Sequence, residues 1–129
     1  MDTVARVFRY SIRYGMATIY KICPAASWSS AESDGVFKGL KNDIEDGFIH
    51  FSTGMQLAET ASRHFSGQKD LVVVAVDGER LGVALKWEPA RLGDLFPHLF
   101  GPLDLAAVLW VDKLPLGTDG RHRFPVRAI

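Results

Sequence analysis

The spacing of apolar residues predicts short strands alternating with helices along this chain of 129 residues. Residues 17–22 alternate and predict a first strand, with Lys21 and Ile19 on the face opposite Tyr20. Residues 71–76 are uniformly apolar, which is typical of a central strand that is buried on both faces. These two segments predict the centre of a sheet.

The remaining pattern predicts two helices, both in the first half of the chain. The first is short, is capped at or beside Ser27 and ends at Asp34-Gly35, and the second opens at Thr53 and ends near residue 65. Further strands are predicted at 48–51, 84–88 and 106–111 and after a turn at 117–120, whereas residues 37–46 and 91–102 carry turn formers and are predicted to be irregular. The fold class is therefore α+β: a single domain with a mixed, mostly antiparallel sheet.

Composition and charge narrow the functional classes. Fifteen basic and fifteen acidic side chains cancel, which argues against an extended nucleic-acid surface or an anionic membrane as partner. No apolar run reaches the roughly 20 residues of a membrane-spanning helix, and the single cysteine, Cys23, is typical of a packed residue in a reducing, cytoplasmic protein. We interpret residues 1–15 as a basic N-terminal extension outside the fold, and residues 16–129 as the domain.

The segment around His50 is the strongest candidate for chemistry. His50 and Ser52 share one face of the strand predicted at 48–51, and the spacing of Thr53 and Gln56 is that of a capping box at the start of a helix. An imidazole and a hydroxyl thus lie beside a helix N-terminus, where backbone N–H groups and the helix dipole favour an anion such as phosphate.

The other histidines divide into one candidate and two bystanders. His98 lies in an aromatic, breaker-rich segment that either walls a pocket or covers a core edge, and Glu88 could orient His98 or His50. His64 is predicted to be a half-buried surface residue and His122 to face solvent. Because the four histidines lack the paired spacing of a metal site, we predict no bound metal.

Four segments together resemble one known family. They are Ile19-Tyr20-Lys21-Ile22, Asp46-Gly47-Phe48-Ile49-His50-Phe51-Ser52-Thr53 with Gln56, Trp87-Glu88-Pro89 and Phe96-Pro97-His98-Leu99-Phe100-Gly101-Pro102-Leu103. In this order, over about residues 17–125, they closely resemble the domain of unknown function 952 family. The family is similar to a compact ADP-ribosyltransferase fold, nearest the RNA 2′-phosphotransferases.

That resemblance implies a ligand and a set of residues. It implies binding of NAD or ADP-ribose and carries over His50 and Ser52 as the contacting positions. We predict His50, Glu88 and His98 as candidate catalytic residues and Lys21, His50, Ser52, Thr53 and Phe100 as candidate cofactor-binding residues. Lys21 replaces a histidine that the phosphotransferases use to hold ribose, and Phe100 replaces a frequent tyrosine, removing a phenolic donor.

Two functional hypotheses follow. The first is a cytoplasmic domain that binds a nucleotide or ADP-ribose-type small molecule in a cleft lined by His50, Ser52, His98 and Glu88, with Lys21 near the mouth. If that site turns over, the chemistry is ADP-ribosyl transfer or NAD glycohydrolysis. The second is a non-catalytic ligand-binding or protein-interaction module that kept the fold and lost the NAD chemistry, and the replacement at Lys21 favours it.

Overall fold

The longest strands form a three-stranded antiparallel sheet in a computed structural model that describes residues 18–128. Strand β4 (Leu71–Asp77) lies between β1 (Thr18–Pro24) and β8 (Val108–Leu114). Residues 71–76 of β4 are buried, as the uniformly apolar sequence predicts. Strand β1 continues two residues beyond the predicted end, to Pro24, and its two faces contribute to different core clusters.

A second antiparallel sheet carries the candidate site. Strand β6 (Leu95–Leu99) pairs with β3 (Ile49–His50) on one side and β5 (Leu85–Pro89) on the other. Strands β2 (Val36–Phe37) and β7 (Leu103–Asp104) form a separate two-residue pair. The two sheets meet at Ser52, whose backbone N–H and carbonyl exchange hydrogen bonds of 2.9 and 2.8 Å with the backbone of Tyr20 on β1.

Between residues 18 and 65 the structure has three α-helices, one more than the sequence pattern predicts. Helix α1 (Ala25–Asp34) begins two residues before the expected cap and ends at Gly35, which takes a left-handed φ of 80°. Helix α2 (Lys41–Asp46) falls inside the segment predicted to be irregular. The sequence pattern did not indicate it because its six mostly polar residues show no periodic apolar stripe. Helix α3 (Leu57–His64) starts after a turn over residues 53–56.

The apolar core lies on both faces of the first sheet. Ile19, Cys23 and Trp28 belong to the cluster on one face, and Tyr20 and Leu57 belong to the cluster on the other. Cys23 is fully buried as predicted, and burial raises the pKa of its thiol to about 11. Both faces of the sheet thus exclude water, which holds the strands in one register.

Three predictions about the second half of the chain are wrong. Residues 91–102 contain β6, because Pro97 is accommodated where its carbonyl still accepts a 3.0 Å hydrogen bond from the Phe51 N–H. Strand β8 is displaced from the predicted 106–111 and is partly exposed, because it forms one edge of its sheet. The expected C-terminal strand is reduced to one bridge between Leu116 and His122.

His122 also differs from its prediction. Its side chain is buried instead of facing solvent, because Nε2 lies 2.8 Å from the carbonyl oxygen of Gln68 in the turn after α3. The domain is α+β, with antiparallel pairing between all strands of the described chain and short connecting turns of 3₁₀ helix at 78–84, 91–93, 105–107 and 126–128. The predicted extension of residues 1–15 lies outside the described residues. Over residues 18–128, every helix is too short or too polar to cross a bilayer.

The burial of β6 gives a test of the fold. Leu99 is 2% exposed, and Leu109 on the edge strand β8 is 53% exposed. We expect Leu99→Ala to lower the free energy of unfolding by about 2–5 kcal/mol, because it leaves a cavity, and Leu109→Ala to change it by less than about 0.5 kcal/mol. Urea denaturation of the two variants checks this. Equal losses would contradict the placement of these strands.

Candidate functional site

A cleft of about 800 Å³ opens where the two sheets meet helix α3. Its walls come from β1, from the chain on either side of β3, from α3 and from the segment between β5 and β6. The lining residues are Tyr20, Lys21, Ile22, Leu40, Asn42, Asp46, His50, Phe51, Ser52, Thr60, Arg63, His64, Phe65, Ala90, Arg91, Phe96 and His98.

His50 and His98 form one cluster on the cleft wall. They are directly paired across β3 and β6, and their ring centroids are 5.6 Å apart in an edge-to-face arrangement. The ring of Phe48 stacks on His98 at 4.1 Å and contacts His50 at 4.6 Å. Antiparallel pairing thus places two residues 48 positions apart in sequence on the same patch of sheet, and aromatic contacts restrain both rings.

Both nitrogens of the His50 ring face carboxylates. Nδ1 lies 2.6 Å from Asp43 Oδ1 and Nε2 lies 2.9 Å from Asp46 Oδ2. The Asp43 side chain is 1% exposed, whereas Asp46 is 52% exposed and belongs to the cleft wall. A neutral imidazole has one N–H and donates to one of these acids, whereas imidazolium donates to both. The two acids fix the ring orientation.

The carboxylate of Asp43 is a hub that sequence reasoning missed. It accepts hydrogen bonds from the Leu40 N–H at 2.7 Å, the His50 N–H at 3.0 Å and the Lys21 ammonium at 2.9 Å, in addition to the His50 ring. Lys21 also donates to the His50 carbonyl oxygen at 2.9 Å. One acid therefore ties β1, the start of α2 and β3 together, with every oxygen partnered.

Electrostatics agrees with this geometry. Burial opposes ionisation of Asp43, but the hydrogen bond with the His50 ring, the charge of Lys21 and the two backbone N–H groups outweigh it and hold the pKa of Asp43 at about 2. Burial lowers the pKa of Lys21, and the Asp43 charge opposes that shift. A buried pair of this kind is costly to break, because the remaining charge has no partner.

Local sequence explains how Asp43 reaches this position. It is the third residue of α2, where an acidic side chain accepts from the backbone N–H that precedes the helix, here that of Leu40. Gly39 has a φ of 108°, and a Cβ on it would lie 2.8 Å from the Cβ of Asp43. Gly47 ends the helix in the left-handed region. The pattern Gly39, Asp43, Gly47 is the signal that could have identified this helix.

The predicted partnership of Glu88 with His98 is present. Glu88 Oε1 lies 2.7 Å from His98 Nδ1, so the acid on β5 orients the imidazole on β6. His98 is buried and lies on a strand, not in a loop, but its ring reaches the cleft wall. His50 and His98 both line the cleft. Glu88 is not among the lining residues and contacts His98 from outside the cleft wall.

The remaining predicted ligand contacts differ from expectation. Lys21 lies on the wall, not at the mouth, and its ammonium is buried against Asp43. Ser52 lines the cleft, but its hydroxyl is 2.8 Å from that of Thr60. Thr53 exchanges hydrogen bonds with Gln56 as a capping box, although these close a turn before α3 and Thr53 is outside the cleft wall. Phe100 is also outside that wall and packs on Phe48.

A basic cluster on the cleft wall was not predicted. Arg63 and His64 come from the last turn of α3, and Arg91 comes from the segment after β5. His64 is exposed at the surface. On α3, Arg63 Nε lies 3.0 Å from Glu59 Oε2. Arg91 lies far from α3 in sequence and beside it in space, which no local pattern reveals.

The donor set limits the chemistry of the cleft. Imidazole and guanidinium groups surround it, and Asp46 is the single acidic residue on its wall. Among residues 18–128, no three side chains of histidine, cysteine, aspartate or glutamate group as a metal site would require. The arrangement is suited to hydrogen-bonding an anionic or hydroxyl-rich ligand of small-molecule size.

Asp43 and Asp46 allow a matched test, since both contact the His50 ring. We expect Asp43→Asn to lower the free energy of unfolding by about 3–5 kcal/mol, because it leaves the Lys21 charge buried without a counter-ion. Asp46→Asn removes a half-exposed contact and should change that free energy by less than about 1 kcal/mol. Chemical denaturation measures both. Comparable small losses would contradict the role of Asp43 as a hub.

The pKa of Asp43 also predicts how stability depends on pH. Its folded pKa of about 2 lies below the unfolded value, so the unfolded state binds more protons and folding is favoured at higher pH. This contribution, on the order of 2 kcal/mol, is present above about pH 4 and is lost as pH falls through about 2. Carbon-13 detection of the Asp43 carboxyl gives its midpoint directly. A midpoint near 4 would contradict the proposed network.

The chain is similar to solved structures of one bacterial protein. It is 46% identical to the crystal structure of protein CC0527 from Caulobacter crescentus, with a TM-score of 0.80 over 82% of this chain and 93% of that one. The solution NMR structure of CC0527 gives 47% identity and a TM-score of 0.74 over 81% and 90% of the two chains. No curated protein matches the chain. The family model described as protein of unknown function (DUF952) matches residues 22–111, and the chain belongs to this family.

Proposed function

We propose that the cleft binds a nucleotide or an ADP-ribose-type ligand. The observation that carries the proposal is a cleft of about 800 Å³ whose wall holds the imidazoles of His50 and His98 together with the guanidinium groups of Arg63 and Arg91. That volume is within the usual range for small-molecule sites. Imidazole and guanidinium donors match the hydroxyl and phosphate groups of such a ligand.

His50 is the proposed centre of recognition. It is 30% exposed and held by Asp43 and Asp46, so its ring is restrained before a ligand arrives. His98 is oriented by Glu88, and the hydroxyl of Ser52 completes the wall beside Thr60. Restraint of these side chains reduces the entropy lost on binding. Lys21 acts through Asp43 instead of contacting the ligand, and we assign no contact to Thr53 or Phe100.

The choice of ADP-ribose or NAD rests on sequence resemblance. The strand and turn that carry His50 and Ser52 resemble the element with which RNA 2′-phosphotransferases contact a nicotinamide dinucleotide. We extend this to the fold and propose a compact relative of the ADP-ribosyltransferases. The buried pairing of Lys21 places a structural cation where those enzymes use a ribose-binding histidine.

Turnover and binding alone are separate candidates. In turnover, the bond between nicotinamide and ribose C1′ breaks, nicotinamide leaves with the bonding electrons, and water or an acceptor hydroxyl attacks C1′ and loses a proton. Such a reaction needs a carboxylate facing the developing positive charge. Asp43, Asp46 and Glu88 are each engaged by a histidine, and this observation favours the second candidate, a module that binds without turnover.

Calorimetry with ADP-ribose tests the role of His50. We expect His50→Gln to weaken binding by about 10- to 100-fold, because a charge-assisted hydrogen bond contributes roughly 1.5–3 kcal/mol. His122→Gln is the matched control, since His122 is buried and hydrogen-bonded outside the cleft. It should bind like the wild type.

Two results would oppose the proposal. Failure of the wild type to bind ADP-ribose or NAD at millimolar concentration contradicts the proposed ligand class. Equal affinity of His50→Gln and wild type contradicts the assigned centre. Chromatography of NAD after incubation then separates the candidates: nicotinamide release that Asp46→Asn abolishes indicates turnover, and intact NAD indicates a binding module.

A further inference from the structure

Arg91 is enclosed and poorly hydrogen-bonded. Its side chain is 15% exposed, and its guanidinium lies over the ring of Phe96 at 4.8 Å. Within the described chain its five N–H donors form one hydrogen bond, which runs from Nη2 to the Thr60 hydroxyl and is long at 3.4 Å. The buried Nη1 has no hydrogen-bond partner there and lies 3.7 Å from Glu59.

Positive charge is in excess around Arg91. Glu59 is shared between Arg91 and Arg63, and its closer contact is with Arg63 Nε at 3.0 Å. The Glu59 carboxylate therefore faces two guanidinium groups, and His64 also lines the cleft wall. An arrangement of this kind attracts an anion, because the second cation has no full counter-charge.

The titration of His64 reflects the same field. Desolvation by the surrounding protein lowers the pKa of this histidine, and the positive charges of Arg91, Arg63 and Lys21 lower it further. Glu59 and Asp46 are the acids nearest to this set in the cleft and on α3, and they do not reverse the shift. A bound anion would act in the opposite direction and raise the pKa of His64.

We propose that Arg91, with Arg63 and Thr60, forms a phosphoryl subsite in the cleft. This inference rests on the proposed nucleotide-type ligand and adds the position of its phosphate. Arg91 supplies a planar pair of N–H donors that matches two phosphoryl oxygens, and Phe96 holds the guanidinium plane. The Thr60 hydroxyl contacts both the Ser52 hydroxyl and Arg91 Nη2, so it links this subsite to the part of the wall that carries Ser52.

A purely structural salt bridge is the competing explanation for Arg91. The ion pair between Arg91 Nη1 and Glu59 is present at 3.7 Å, but this separation exceeds hydrogen-bond length and leaves Nη1 without an acceptor. An oxyanion in the cleft offers the missing acceptors. The subsite therefore explains an unsatisfied donor that the salt bridge leaves unexplained.

Arg127 provides a matched control for Arg91. Its guanidinium stacks on Trp110 at 4.3 Å and pairs with Asp112 at 2.8 Å, so it has the same kinds of contact outside the cleft. We expect Arg91→Gln to weaken ADP-ribose binding at least tenfold and Arg127→Gln to leave it unchanged. Arg91→Lys keeps the charge without the planar donor pair and should bind with intermediate affinity.

The His64 ring signals, followed by NMR across pH, test the subsite separately from the ligand class. Inorganic pyrophosphate, a terminal phosphomonoester (adenosine monophosphate) and ADP-ribose are the probes, and proton spectra confirm that each variant is folded. We expect wild-type His64 to titrate at higher pH with pyrophosphate and ADP-ribose, and Arg91→Gln to lose this response. A response to the monophosphate alone would restrict the subsite to terminal phosphate and overturn its assignment to the phosphoryl groups of an ADP-ribose-type ligand.

The remaining outcomes separate the two proposals. ADP-ribose binding that is equal in wild type and Arg91→Gln, without a change at His64, overturns the subsite and leaves the proposed function standing. No ADP-ribose binding, together with a pyrophosphate response at His64 that depends on Arg91, supports an anion site and overturns the nucleotide ligand. If no probe binds, by calorimetry or by the His64 signals, both proposals are overturned.

Discussion

The carboxylate of Asp43 is the constraint on which the candidate site depends. It is almost completely buried and accepts from the Lys21 ammonium, the His50 ring and two backbone N–H groups. These partners come from β1, from the residue before α2 and from β3, so one side chain determines how three segments approach one another. A buried charge is tolerated because every acceptor site is used. The orientation of His50 is a consequence of this network.

The wall of the resulting cleft carries two chemically different clusters. The paired histidines are restrained by acids and by Phe48, whereas the two arginines are only partly neutralised by Glu59. A ligand with hydroxyls on one part and phosphate on another fits this asymmetry. The imidazoles are already restrained, and the Arg91 guanidinium has an N–H group without an acceptor. Both features reduce the reorganisation of side chains that ligand binding requires.

Much of the fold follows from local patterns. The apolar run at 71–76 predicts the central strand, the alternation over 17–22 predicts β1, and Gly35 marks the end of α1. Helix α2 was not predicted because its six mostly polar residues have no apolar period. Strand β6 was not predicted because Pro97 argues against a strand, although its carbonyl accepts a hydrogen bond from the Phe51 N–H. Antiparallel strands and three helices place the chain in the α+β class predicted from its sequence.

The candidate site was only partly predictable. His50 and His98 are marked by their surroundings in sequence, and the structure pairs them directly. Asp43, Arg63 and Arg91 contribute through contacts between distant segments, and a charged residue that is 1% exposed runs against the usual expectation for aspartate. The sequence predicts Lys21 near the mouth of the cleft. Its burial depends on the pairing with Asp43, which is a contact between distant segments.

The most direct test of the central claim is an amide-resolved NMR titration of the domain with NAD, ADP-ribose and a 2′-phosphorylated oligonucleotide. The claim is that a cleft organised by Asp43 binds a nucleotide-type ligand through the imidazole and guanidinium groups on its wall. It predicts saturable shifts for ADP-ribose that cluster at residues 50–52, 60–65 and 90–98. An absence of shifts at millimolar ligand, or shifts confined to residues outside the cleft, would contradict it.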